Sequence, residues 1–275
     1  MKTFLQQKSS MTTMKIFSFL VVLICFISCK EQPPFIDLKP PLILLTDTTY
    51  IKSIPDSVQP HNVLLEDFTG VRCGNCPRGH KIIEDLKTLH GNRVVALALH
   101  GEDFTNFTTP YDGYEDFRIP YTRRILDIIG KPSGLPFASF DRSESSSNTV
   151  GEWKSIAERR LDSISPVRLA ISDKILDTTN MIFKAKYYMS YTQELNENIY
   201  YSVAILEYEV ISRQLDDDNA VHNVLDYHHE NLTRDFPVFF KQINKLPITE
   251  KGRTYVKEFE VKLPENIKDV KNCTE

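Results

Sequence analysis

The apolar positions of this chain change period near residue 165. Before it, short apolar runs alternate with segments of helical spacing. Residues 63–68 read as a strand, with Val63, Leu65 and Asp67 toward one side and Leu64, Glu66 and Phe68 toward the other. Residues 74–90 follow as a helix carrying Ile82, Ile83, Leu86 and Leu89 at helical spacing, with Gly91 as its stop. Residues 93–99 form a continuous apolar run, the pattern of a strand buried on both faces. A less regular stretch from 101 reads as an insertion and ends in a helix over 121–129, stopped by Gly130. Residues 130–136 are a loop dense in turn residues, and 137–140 a short strand. A serine-rich link at 143–147 leads into a helix over 150–161, with Trp153, Ile156, Ala157 and Leu161 on one face. Alternating strands and helices predict an α/β domain.

After Pro166 the period becomes alternating. Residues 167–171, 181–189, 199–210 and 254–263 read as strands, with polar turns at 177–180 and 195–198. Several strands at short spacing predict an antiparallel sandwich. Residues 213–250 carry no assignable period. A sandwich would continue into one more strand after the turn at 264–266, so a chain cut short at its C-terminus is expected.

The 275 residues leave room for two ordinary domains, each with its own core. With 41% hydrophobic and 25% charged residues, the composition is that of an ordinary soluble protein once the N-terminal apolar run is set aside. That run, residues 16–27 after Met14-Lys15, is short for a membrane span and reads as a secretory signal. Ile27-Ser28 before Cys29 resembles a bacterial lipobox, which implies that Cys29 becomes the lipidated first residue of the mature protein. The other reading is an uncleaved anchor with an incidental cysteine. Residues 29–60, with Pro33, Pro34, Pro40, Pro41, Pro55 and Pro60, suit a tether that can include an edge strand at 42–45. Loss of residues 1–28 leaves 30 basic and 37 acidic residues, net −7. No nucleic-acid partner is expected on that balance, because phosphate binding uses clustered positive charge.

Of the five cysteines, Cys25 leaves with the signal and Cys29 takes lipid. Cys73, Cys76 and Cys273 are too few for a disulfide scaffold. Cys73-Gly74-Asn75-Cys76 lies between a strand and a helix. A cysteine at a helix N-terminus meets unsatisfied N–H groups and the positive end of the dipole, which favours its thiolate, and a second cysteine one turn on can close a disulfide with it. Asp67 ends the preceding strand, and Leu135-Pro136 precedes another.

In kind and order these features resemble the thioredoxin superfamily. The resemblance implies a buried acid beneath the CxxC and a cis-proline loop facing it. Cys73 is then the nucleophile, being the more exposed thiol, with Arg72 adding positive charge, and the more buried Cys76 resolves the mixed disulfide. Asp67, with a raised pKa if buried, would exchange a proton with Cys76. Pro136 would be cis and present backbone to an extended substrate. Each residue also has a plainer reading: a permanently closed disulfide, a solvated Asp67, a trans Pro136. Cys73, Cys76 and His80 lack a second CxxC or histidine pair at zinc spacing, so neither metal nor cofactor is expected. His80 reads as a helix-surface residue, and His222, His228 and His229 as a solvated polar loop.

Over most of residues 61–263 the chain is similar to the Omp-twenty-eight-related outer-membrane lipoproteins. The phrases that carry this are Leu64-Leu65-Glu66-Asp67-Phe68-Thr69-Gly70, Cys76-Pro77, Pro132-Ser133-Gly134 before Leu135-Pro136, and Val221-His222-Asn223-Val224-Leu225. Asn75 departs from the proline common inside thioredoxin CxxC motifs. The resemblance implies a fold class: an α/β thioredoxin-like domain over 61–164, then an all-β immunoglobulin-like sandwich over 165–275, behind the signal (1–28) and tether (29–60). It implies a lipoprotein of the bacterial outer membrane, held there by its lipid anchor. The leading function is thiol–disulfide oxidoreduction on envelope proteins or peptides. The rival is a non-enzymatic surface binding or adhesion lipoprotein whose CxxC is a structural disulfide.

Overall fold

The computed structural model describes residues 43–143, 146–196, 199–242 and 250–270. The expected lipid-attachment residue Cys29 and the lone Cys273 lie outside the described residues. In the first half the strands are β1 (Ile43–Ile51), β2 (Gln59–Pro60), β3 (Val63–Thr69), β4 (Val94–Gly101), β5 (Arg118–Ile119), β6 (Phe137–Phe140) and β7 (Ser146–Ser147). Between them lie helices α1 (Cys76–His90), α2 (Thr105–Thr108), α3 (Thr122–Ile129) and, after β7, α4 (Val150–Leu161). The second half contains β8 (Ile164–Ser165), β9 (Val167–Asp177), β10 (Ile182–Tyr191), β11 (Tyr200–Glu207), β12 (Val210–Leu215), β13 (Asn223–His229), β14 (Leu232–Gln242) and β15 (Arg253–Lys262).

The central sheet runs β11-β14-β4-β3-β6-β7, with β5 also paired to β4. β3 and β4 are parallel, and β6 runs antiparallel to β3. Because β3 is covered on both faces, six of its seven residues are buried and it reads as a continuous apolar run. On one face Val63, Leu65, Val94 and Ala96 pack with Ile83 and Leu86 of α1 and with Trp153, Ile156 and Leu161 of α4. On the other, Phe68, Leu97 and Leu99 meet Ile125 and Leu126 of α3 and Phe236 of β14. α1 and α4 approach closely because Gly79 has no side chain: a Cβ there would lie 2.5 Å from the Trp153 ring. Pro77 in the first turn of α1 needs no backbone donor, and Gly91 closes the helix at φ +58 with its N–H donating to the Lys87 carbonyl.

The expected fold class, an α/β thioredoxin-like domain followed by an immunoglobulin-like sandwich, is not what the chain forms. Strand dominates, with fifteen strands against four α-helices among the described residues, spread over several sheets. The alternating segments of the second half do not form two sheets of their own: β11 packs Tyr201 and Ile205 against residues of β10 and β15, yet belongs to the central sheet. β9, β10 and β15 build a four-stranded antiparallel sheet with β1, while β12 and β13 form a separate two-stranded ribbon. β14 and β11 take their hydrogen-bonded partners elsewhere. β14 runs parallel to β4, pairing Leu232 with Ala98, and β11 extends the same sheet. The reason is hydrogen bonding: the outer edge of β4 is a row of donors and acceptors that must be satisfied once buried, and any strand that reaches it can serve. Alternation predicts a strand but does not name its partner.

Candidate functional site

β3 delivers the chain to the start of α1, and the CxxC occupies the turn between them. Cys73 and Cys76 form a disulfide with their Cα atoms 5.4 Å apart. Cys76 is the first residue of α1 and Asn75 its N-cap, without a side-chain cap, so Cys76 rather than Cys73 sits within the helix terminus. The Cys76 N–H donates to the Cys73 carbonyl at 3.2 Å. The Leu135–Pro136 bond is cis, and Pro136 precedes Phe137, which pairs with Phe68 near the end of β3. Asn148 holds this loop by donating from Nδ2 to the Gly134 and Pro136 carbonyls.

Both cysteines are buried, Cys73 at 2% exposure and Cys76 at 0%, so neither stands out as the accessible thiol in the closed state. The cover on this turn is residues 214–218, the last two of β12 and the three that follow. Gln214, itself fully buried, donates from Nε2 to the Gly70 and Cys73 carbonyls at 3.1 Å each. The Leu215 N–H donates to Val71 O, the Asp217 N–H to Gly74 O, and Asp218 forms a two-point ion pair with Arg78 of α1. Arg72, expected to lend charge to Cys73, instead donates to the Thr109 and Pro110 carbonyls and lies 4.0 Å from the Tyr111 ring centroid. Arg213 covers the same ring at 3.7 Å, so Tyr111 joins the cysteine turn to β12.

Asp67 is 1% exposed on the β3 face turned toward α1, and neither of its carboxylate oxygens accepts a hydrogen bond among the described residues. Its near neighbour is His80, whose Nε2 lies 3.3 Å from Oδ2. His80 is four residues after Cys76, one helical turn along the same face of α1. The ring faces inward: Nε2 also lies 2.9 Å from Thr69 Oγ1, and Nδ1 lies 2.6 Å from the Tyr227 hydroxyl. The helix-surface role expected for His80 gives way to this inward network. Burial, reinforced by Asp67 and Asp216, pushes the Tyr227 phenol well up and keeps it neutral.

Further in, aromatic and imidazole rings continue from Tyr227 to His229 (5.0 Å between centroids) and from His229 to His100 (6.2 Å), with Phe117 against both. Burial first, and the nearby His80 and Arg234 second, push His100 down to about 3, and burial with His100 holds His229 well below its ordinary value. Both rings are therefore neutral near pH 7. The expected solvated loop is divided: His222 and His228 are exposed, while His229 is core. No cluster of three or more potential ligands suited to a metal ion occurs among the described residues.

A cleft of about 640 Å³ opens between α1 and β13, lined by Asp67, Pro77, His80, Glu84, Tyr227 and Asn231 among others. Cys73, Cys76 and Asp67 thus gather at the end of β3, and Pro136 immediately precedes β6, whose Phe137 pairs with Phe68 of the same strand end. Sequence reasoning missed Gln214, Asp217 and Tyr227, placed His229 in a solvated loop, and missed His100. The first four come from 210–230, where the core-facing residues are polar and leave no apolar period.

No family profile matches the chain, and no curated protein matches it in sequence. In structure it is similar to HBP35 of Porphyromonas gingivalis, at 20% identity and TM-score 0.50, over 76% of this chain and 66% of that one. It also resembles a protein of Agrobacterium tumefaciens solved by a structural genomics consortium, at 12% identity and TM-score 0.42, over 73% and 79% of the two chains. The second likeness is too distant to carry an argument. The first spans just under two thirds of the other protein's length, and what this chain shares with HBP35 is a fold.

Proposed function

We propose that this chain is a thioredoxin-like thiol–disulfide oxidoreductase of the Omp-twenty-eight-related lipoprotein kind, anchored through Cys29 in the bacterial outer membrane and acting on envelope proteins or peptides. The observation that carries the reading is Asp67. Burying a carboxylate whose polar company is one imidazole nitrogen at 3.3 Å costs on the order of 1–3 kcal/mol, and a disulfide that merely braces the fold gives no reason to keep one at the end of the strand before it. An acid that takes and returns the proton of a resolving thiol does.

In the proposed cycle Cys73 thiolate attacks a substrate disulfide, forming a Cys73–substrate bond and releasing one substrate thiolate. The Cys76 thiol then loses its proton to Asp67 and attacks Cys73 Sγ. The Cys73–Cys76 bond forms, the second substrate sulfur leaves and is protonated, and two electrons have passed from the dithiol to the substrate. Pro136 offers backbone to the extended substrate beside this pair.

A structural-disulfide reading is favoured by a different observation, the burial of both cysteines with residues 214–218 bonded to the turn that holds them. Trapping separates the two. Cys76→Ser should accumulate disulfide-linked envelope partners, and the pair should equilibrate with glutathione; a disulfide that glutathione cannot open, with nothing trapped, would leave the bracing role. The anchor is tested by fatty-acid labelling, which Cys29→Ser should abolish.

A further inference from the structure

We propose that His80 and Tyr227 form the proton exit of this site, carrying to and from the cleft the proton that Asp67 exchanges with Cys76. The proposal rests on the oxidoreductase reading and assigns two residues to its proton step.

Three observations converge on it. Asp67 keeps only 1% exposure at the wall of the cleft, and its Oδ2 lies 3.3 Å from His80 Nε2, so a proton placed on it meets the imidazole. His80 is the titratable group in contact with it, and its side chain keeps 21% exposure. Its two nitrogens also face opposite ways: Nε2 meets Asp67 Oδ2 and Thr69 Oγ1, and Nδ1 meets the Tyr227 hydroxyl, which lines the cleft of about 640 Å³. An imidazole placed so can accept a proton on Nε2 and release another from Nδ1, since its two tautomers differ only in which nitrogen carries hydrogen.

The step balances without a further reactant. When Cys76 attacks, its proton passes to Asp67, then to His80 Nε2. The proton on Nδ1 passes to the Tyr227 oxygen as the phenol proton moves to cleft water, and the ring returns by tautomer exchange. Reduction of the disulfide runs the same path inward. His80 is faced by Asp67 and Thr69 from β3, Tyr227 and His229 from β13, and His100 from β4, with Lys81 and Glu84 beside it on its own helix. His100 and His229 stay neutral near pH 7, and of the three rings it is His80 that contacts Asp67.

The test uses the mature chain and a reagent of known chemistry. Reduction of the Cys73–Cys76 disulfide by dithiothreitol and its reoxidation by oxidised glutathione are timed by alkylation quench, in H2O and D2O, for the parent, His80→Gln and Tyr227→Phe. His80→Gln should slow both directions about tenfold and Tyr227→Phe about threefold, with a larger solvent isotope effect and an unchanged equilibrium against glutathione. Unaltered rates in both variants would overturn the proposal. So would a shift in the equilibrium, because His80 would then be stabilising one redox state rather than moving a proton. Failure of the oxidoreductase reading shows separately, as no partner trapped by Cys76→Ser, and leaves these rates readable.

Discussion

Asp217 lies directly on Gly74, inside the CxxC. Its N–H donates to the Gly74 carbonyl at 2.9 Å, and its carboxylate fills the space a side chain would need: a Cβ on Gly74 would stand 2.2 Å from Oδ1 and 2.4 Å from Oδ2. The glycine of this motif is therefore a seat for the cover over the disulfide. Gly74→Ala should lift residues 214–218, and dithiothreitol should then reduce the disulfide about tenfold faster. Asp217→Gly in the same chain should restore contact and return the rate toward that of the parent. Equal rates in parent and Gly74→Ala would mean that the cover does not control access.

Gln214 is the cover's inner pin. Replacing its buried amide with leucine removes one of two donors from each of the Gly70 and Cys73 carbonyls, which keep the Cys73 and Cys76 N–H groups, at a cost of about 0.5–1.5 kcal/mol per bond. Urea denaturation of the oxidised protein should show this as a lowered midpoint with unchanged slope. A midpoint equal to that of the parent would show that water replaces the amide freely.

Arg234 of β14 joins the two halves of the sequence. Its side chain, 1% exposed, reaches Glu207 of β11, also 1% exposed, and Glu115 of the first half, both at 2.6 Å. Arg234→Met takes the cation from buried Glu207 and leaves Glu115 with Lys268 Nζ at 3.2 Å, and should destabilise by about 3–5 kcal/mol. Glu207 still accepts the Lys268 and Asp269 N–H groups, so Glu207→Gln should cost less. The order of the two denaturation midpoints checks this, and the reverse order would refute it.

Acid should weaken the fold through the buried histidines. His100 stays neutral in the folded chain down to about pH 3, whereas in the unfolded chain it protonates near 6.5. Unfolding therefore takes up a proton between these values, and stability falls as pH falls through the window, by up to about 1.4 kcal/mol per pH unit for each such histidine. His229 is shifted in the same direction and adds to the slope. His100→Phe, which can pack against Phe117, should remove one proton's worth of slope. An unchanged slope in that variant would place the acid sensitivity elsewhere.

The cysteine end of the site was legible in the sequence because its parts are local. β3, the CxxC, α1 and β4 follow one another within 39 residues, and each announces itself by an apolar run or a helical period. α4 was read at its observed bounds, with Trp153, Ile156, Ala157 and Leu161 all buried on one face. β13 failed the same reading because its inward residues are Tyr227 and His229, which hydropathy does not count as core. β14 failed because Arg234 and Asp235 are buried within it and Pro237 interrupts it, a proline tolerated where the pairing with β11 is irregular.

By itself, then, the sequence determined the turn that holds Cys73 and Cys76, the acid at the end of β3 and the proline before β6, since spacing along the chain suffices for each. Tertiary structure decided the rest. It took β11 and β14 of the expected second domain into the first sheet, laid Gln214 and Asp217 against the cysteine turn, and brought Tyr227 to His80 across 147 residues. Those contacts depend on which buried edge and which unpartnered polar atom a distant strand can satisfy, and no local period records that choice.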